Sequence, residues 1–277
     1  MTWWGQVLAF LVLCFGSCCP ALGAEKPITV GLVFDGTSAA DRAPLQEYLT
    51  KAMGRPVRLE APDRYADTVD RLADGTYDFA CLGALMYVRA HAKYGVVPMV
   101  QRTSDLQFHT VFIAGAGSSI QSLRDLSGKQ FAFGDLNSAS GHLIPYKEIK
   151  QAGLNPDADI KARFSGSHVA TAAMVTSGVV DAGALDETVF DALIRDGKMD
   201  SGKVRVFHKS KPFVDYVYVA GKGVSAADRQ RFAAALLSLR EGQHDSLLRI
   251  LRANKFVPAS DLEYGSIRGI AKELKMF

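Results

Sequence analysis

The chain has 277 residues, 48% of them hydrophobic and 22% charged, the make-up of an ordinary globular protein with room for one large domain or two small ones. Its 32 lysines and arginines against 29 carboxylates leave a formal net charge of +3. That balance is too mild to mark a nucleic-acid binder, and no basic run or tail appears.

Taken in chain order, the first stretch stands apart. "MTWWGQVLAFLVLCFGSCCPALGAEKP" carries no charged side chain before Glu25, and the apolar run from Val7 to Phe15 is too short to span a bilayer. Residues 1–24 are expected to be a signal peptide cut near Gly23 or Ala24. The alternative is a lipid anchor through Cys18, for which Phe15 is a poor match at the first position of the lipidation box. Cys14, Cys18 and Cys19 all lie in this leader, so cleavage leaves Cys81 as the one thiol. Set in the apolar run "DFACLG", it reads as a small packing residue and not as a nucleophile.

After the leader, short apolar runs alternate with amphipathic stretches, the pattern of α/β layering. Expected strands are "ITVGLVF", "PVRLE", "DFACL", "VVPMVQ", "TVFIAG", "KQFAFG", "DAGAL", "VRVFH" and "YVYVAG". Helical patterns such as "RAPLQEYLTKAMG", "YADTVDRLADG", "YKEIKQAG" and "HVATAAMVTSG" lie between them, each stopped by a glycine where a helix end favours positive φ. The order repeats. Phe34 and Phe133 each precede a small-residue loop, a helix and a stopping glycine at the same separation, Gly54 and Gly153. Tyr65 and His168 each open a helix that ends at Gly75 or Gly178, and a short strand follows. "FHTVFIAGAG" then parallels "VDYVYVAGKG".

Two similar lobes follow from this repeat, each a mainly parallel sheet with helices on both faces. Ligands bind such sheets at the carboxyl ends of the strands, so facing lobes make a cleft there. The expected division is 25–113 for the first part of lobe 1, 114–219 for lobe 2 and 220–277 for the return to lobe 1. Hinge crossings would then lie near 114 and 220.

The segment "FGDLNSASGHLIP" ends a strand and starts a helix. Ser138, Ala139, Ser140 and Gly141 offer first-turn amides, two hydroxyls and close backbone approach, which suit an oxyanion. Plain N-capping by Ser138 or Ser140 is the other reading. His168, at a helix start on the same lobe, is either a second donor to that anion or a solvated N-terminal histidine. Tyr65, its counterpart on the first lobe, is either a wall of the cleft or surface packing.

These stretches, together with "PLQEYLTKAMGRPV", "GTYDFACLGALMYVRA" and "SGSHVATAAMVTSGVVDAGALDE", resemble the substrate-binding proteins of phosphonate, phosphite and phosphate ABC importers. That family lies within the type II periplasmic binding proteins. The resemblance covers nearly all of the chain after the leader and rests most on the Ser-x-Ser-Gly-x-Leu-Ile-Pro segment. It implies an α/β fold of two Rossmann-like lobes joined by two hinge crossings, closing on a small phosphorus oxyanion in the periplasm. It also implies oxyanion contacts at Ser138, Ala139, Ser140 and His168, and aromatic contacts at Tyr65 and Phe108, with His109 alongside. Ala139 stands where the family often has a hydroxyl. For a ligand amine the resemblance points to Asp215 and to the neighbourhood of Thr188, flanked by Asp186 and Glu187. Asp186 and Asp215 taken singly read equally as helix-capping carboxylates. Tyr87 is a further pocket candidate, its other reading being a residue of the lobe core.

The expected function is therefore capture of the oxyanion by a monomer, without metal or cofactor, and delivery to an ABC permease. A membrane sensor kinase as recipient is the alternative. An exported enzyme acting on phosphate esters or phosphonates is a further rival, but no G-x-S-x-G, H-E-x-x-H, P-loop or clustered Cys/His spacing occurs.

Overall fold

The computed structural model describes Met1 and residues 26–32, 38–62 and 64–277. The expected leader, with its cleavage site and Cys14, Cys18 and Cys19, lies outside the described residues.

The first run of elements is β1 (Ile28–Gly31), α1 (Ala39–Met53), β2 (Val57–Glu60), α2 (Asp67–Ala73), β3 (Phe79–Leu82), α3 (Ala84–Tyr94) and β4 (Val97–Arg102). The second is β5 (Thr110–Gly115), β6 (Gln130–Phe133), α4 (Ile144–Gln151), β7 (Lys161–Phe164), α5 (His168–Thr176), β8 (Ala182–Asp186), α6 (Glu187–Arg195) and β9 (Val204–Lys209). The chain ends with β10 (Val217–Ala220), α7 (Ala226–Leu237), α8 (Asp245–Ile250), β11 (Phe256–Pro258) and α9 (Gly265–Glu273).

These strands make a six-stranded sheet in the order β11-β4-β10-β3-β1-β2 and a five-stranded sheet in the order β7-β6-β8-β5-β9. Within each, a strand from across the hinge runs antiparallel between two others: β10 between β3 and β4, β5 between β8 and β9. The two orders are images of each other apart from β11, so the repeat read in the sequence is a repeat of topology. Among the described residues no helix is long and apolar enough to cross a membrane.

The expected boundaries move. Thr110–Gly115 pairs with β8 and β9 in the second sheet, and Val217–Ala220 pairs with β3 and β4 in the first. The crossings therefore lie at 103–109 and 210–216 rather than near 114 and 220. They run side by side: Phe108 and Phe213 exchange N–H to carbonyl bonds of 2.9 and 3.0 Å, and the Asp215 N–H donates to the Asp105 carbonyl at 3.0 Å. A buried ion pair, Arg102 with Asp105, braces the first crossing.

Strand β5 shows why the second lobe needs helices on both sides of its sheet. Val111 and Ile113 face a core shared with Ala172, Val175 and Val189, whereas Phe112 and Ala114 face one shared with Phe131, Phe133 and Ile149, the period-2 alternation of a strand covered on both faces. Cys81 is wholly buried in the first sheet, and burial pushes its thiol up to about 12. It is thus a packing residue, unreactive at neutral pH.

Candidate functional site

The small-residue loop enters α4 through a widened turn. Ser138 is extended and its Oγ accepts the Gly141 N–H at 2.9 Å. The Leu143 N–H then reaches back five residues to the Ser138 carbonyl at 3.1 Å, a wide turn of the kind found at functional positions. Amides in the first turn have no carbonyl of their own helix to bond, and the Ser138 oxygen takes one of them. Because that oxygen is already an acceptor, the Ser138 hydroxyl proton is directed to something else. Pro145, inside the helix start, has no N–H to lose.

Gly141 is glycine for a steric reason. A Cβ there would stand 3.0 Å from Ser138 Oγ, 3.1 Å from Gly134 Cα and 3.1 Å from His168 Cε1. Its absence lets the imidazole close onto the loop. His168 opens α5, whose N-cap is Ser167, and His168 Nδ1 accepts the Asp186 N–H at 3.3 Å. With Nδ1 accepting, a ring proton sits on Nε2.

A cleft of about 510 Å3 adjoins these groups, lined by Ser138, His168 and Val189 from one lobe, Leu32 and Tyr65 from the other, and Tyr216 from the second crossing. Tyr65 accepts the Gly83 N–H through its phenol oxygen at 3.0 Å, and a Cβ on Gly83 would fall 2.3 Å from that oxygen. Burial, helped by the Asp215 charge, keeps the phenol protonated, so it has a proton to donate. Near Tyr65, Asp215 Oδ1 accepts the Ala84 N–H at the start of α3, at 2.9 Å. Asp215 Oδ2 and Ser140 Oγ are both buried and make no well-formed hydrogen bond to a described residue, although the Ser140 hydroxyl is near enough to favour the charged carboxyl. Burial pushes the Asp215 carboxyl up to about 8, against the Ala84 N–H and with help from the Asp186 and Asp105 charges.

Residues 35–264 match the family described as ABC transporter, phosphonate, periplasmic substrate-binding protein. The chain belongs to this family. A probable ABC transporter phosphite binding protein of Prochlorococcus marinus strain MIT 9301 is 29% identical over 241 residues, 82% of this chain and 81% of the relative. The solved structure of PhnD1 from the same organism, in complex with methylphosphonate, has a TM-score of 0.84 at 27% identity and covers 91% of this chain and 99% of its own. A binding protein component of an ABC phosphonate transporter from Pseudomonas aeruginosa shares the fold, with a TM-score of 0.79 at 20% identity over 89% and 86% of the two chains. Family membership agrees with the type II periplasmic-binding-protein fold of two α/β lobes.

Within that frame the structure gathers some of the expected residues and disperses others. Ser138, Gly141 and His168 are neighbours, and Tyr65 shares their cleft. Ala139 turns its methyl into the core cluster of the first lobe with Leu143 and Ile144, leaving its amide as its means of touching a ligand. Phe108 is also in that core, edge-on to Phe213 and Tyr216. Tyr216, which the sequence reading missed, is the crossing aromatic that reaches the cleft. His109 turns away to the Ser210 carbonyl, 2.8 Å from Nδ1, and ties the crossings together. Asp186 caps α6 through the Thr188 and Val189 amides at 2.6 and 3.1 Å. Glu187 pairs with Lys209 at 2.5 Å. Tyr87 donates to Asp261 at 2.8 Å inside the first lobe. Asp186, Glu187 and Tyr87 are thus engaged elsewhere, for the ordinary reasons of capping, surface pairing and core packing.

The loop is also tied to the opposite lobe. Arg89 on α3 donates to Asn137 Oδ1 at 2.6 Å and to the Met276 carbonyl at 3.0 Å. The loop that carries Ser138–Gly141 on one lobe is therefore held by a helix of the other.

Proposed function

We propose that this protein binds a phosphite- or phosphonate-type oxyanion between its lobes and, as a single chain, presents the closed form to the permease of an ABC importer. The observation that carries the reading is the Ser138–Gly141 turn with His168 packed against it: first-turn amides, a hydroxyl with its proton unspent and an imidazole with Nε2 as donor, all beside one cleft. Such donors, together with the positive end of α4, suit a compact anion. Tyr65 and Tyr216 add contacts from the first lobe and the hinge, so the ligand touches both lobes and favours closure over opening. The named binding preference of the Prochlorococcus relatives is in line with this chemistry. The ligand is expected to leave unaltered, in keeping with a family of binding proteins.

A thermal-shift and calorimetry panel of phosphite, methylphosphonate, phosphate, sulfate, an amino acid and a sugar tests the reading. One phosphorus oxyanion should bind one to one, and at about 100 times its Kd it should add near 2.7 kcal/mol of stability. Phosphorus NMR of the incubated ligand should show no new species. A panel in which the amino acid or the sugar shifts the melt, and no phosphorus compound does, would reject the proposed ligand class.

A further inference from the structure

The cleft does not close off at Arg252. A second hollow of about 450 Å3 lies between the lobes, bounded by α1, α5, α6 and α8, and Val189 and Arg252 line both spaces. Its lining holds four cations, Arg195, Lys198, Arg249 and Arg252, against two carboxylates, Asp41 and Asp196. Both carboxylates have partners, Asp41 with the Lys198 charge nearby, and the cations outnumber them by two. Asp196 takes Arg195 Nε at 3.0 Å, and Asp41 takes the N–H and hydroxyl of Ser38 at 2.8 and 2.7 Å. Lys198 stands on the second lobe and Arg249 on the first, so the hollow is positive from both sides.

Arg252 is a built feature of this junction. It has φ of +50°, a left-handed conformation that non-glycine residues rarely adopt. Its carbonyl and that of Leu251 lie 3.4 and 3.5 Å from Nη1 of Arg102, whose other donors are locked on Asp105 in the first crossing. The hinge ion pair thus braces the backbone that carries Arg252 to the point where the two hollows meet.

We infer, resting on the oxyanion reading above, that the site extends to phosphonates bearing a second anionic group, whose methylene chain passes Val189 and whose far carboxylate, sulfonate or phosphonate lies among Arg252, Arg249 and Lys198. A ligand of this kind touches cations of both lobes and gains from closure at its two ends. The test compares phosphonoacetate, 3-phosphonopropionate and 4-phosphonobutyrate with alkylphosphonates of equal chain length by calorimetry. For at least one length the carboxylate should tighten binding by about fivefold or more, the scale of one or two partly screened ion pairs. The Lys198→Ala/Arg249→Ala double variant should abolish that advantage and change methylphosphonate affinity less than about twofold. If alkylphosphonates bind and the carboxylate adds nothing at any length, or if the double variant keeps the advantage, the second-anion subsite is refuted and the oxyanion reading stands. If no phosphonate binds, both fall.

Discussion

Replacing His168 with alanine should weaken methylphosphonate binding by roughly 10- to 150-fold, the worth of a charge-assisted hydrogen bond of about 1.5–3 kcal/mol. The two imidazole nitrogens have distinct roles in this reading, and they can be separated. Nδ1 accepts the Asp186 N–H, a structural contact whose loss alone would cost about 1 kcal/mol of stability. In the proposed site Nε2 is the donor to the ligand. His168→Asn keeps an acceptor near the Nδ1 position and removes the distal nitrogen, so it should bind as poorly as the alanine variant while melting close to the wild type. Ser138→Ala should also weaken binding, and it should lower stability by about 1 kcal/mol because the Gly141 N–H loses its cap. An asparagine variant with wild-type affinity would remove His168 from the site.

Asp215 should govern how stability depends on pH. Its carboxyl is 1% exposed and held at about 8, against 3.8 for an aspartate in water. Between these two pH values the folded protein keeps a proton that the unfolded chain releases. Stability therefore falls as pH rises from about 4 to 8, and the loss is complete above the folded value, a total on the order of 5 kcal/mol. Asp215→Asn retains an oxygen for the Ala84 N–H and cannot ionise. Urea unfolding should then show a wild type that weakens from pH 5 to 8.5 and a variant that lacks this component and is more stable by several kcal/mol at the upper end. The same variant should bind methylphosphonate normally and lose affinity for 2-aminoethylphosphonate, whose ammonium would otherwise displace the carboxyl proton and pair with Oδ2. Parallel pH profiles of the two proteins would show that the carboxyl is not held neutral by burial.

Local chemistry made much of this legible. The glycines expected to stop helices, Gly54, Gly75, Gly153 and Gly178, have φ of 71°, 77°, 92° and 72°, because only a residue without Cβ takes that turn cheaply. Buried strands announced themselves as apolar runs. Strand β7 did not, since all four of its residues are exposed at a sheet edge, and β11 is three residues long and ends in proline. The crossings were misplaced because "TVFIAG" is equally apolar in either sheet, and its partners are set by long-range pairing.

The site divides the same way. Ser138 and His168 were visible because turn residues and helix starts are local features. Phe108 and Tyr87 lie in the core of the first lobe, a placement hard to read ahead because an aromatic side chain carries no mark of the face it will occupy. Tyr216 and Arg252 went unseen for the converse reason: the second crossing and a left-handed residue after a short helix bring them to the cleft, and neither placement is written in their neighbours.

A crystal structure of the protein with methylphosphonate puts the central claim to its most direct test. The phosphonate oxygens should lie about 3 Å from Ser138 Oγ, from the amides that begin the α4 turn and from His168 Nε2, with Tyr65 or Tyr216 in contact from the other side. A phosphonate bound elsewhere, or a Ser138–Gly141 turn facing away from the ligand, would contradict it.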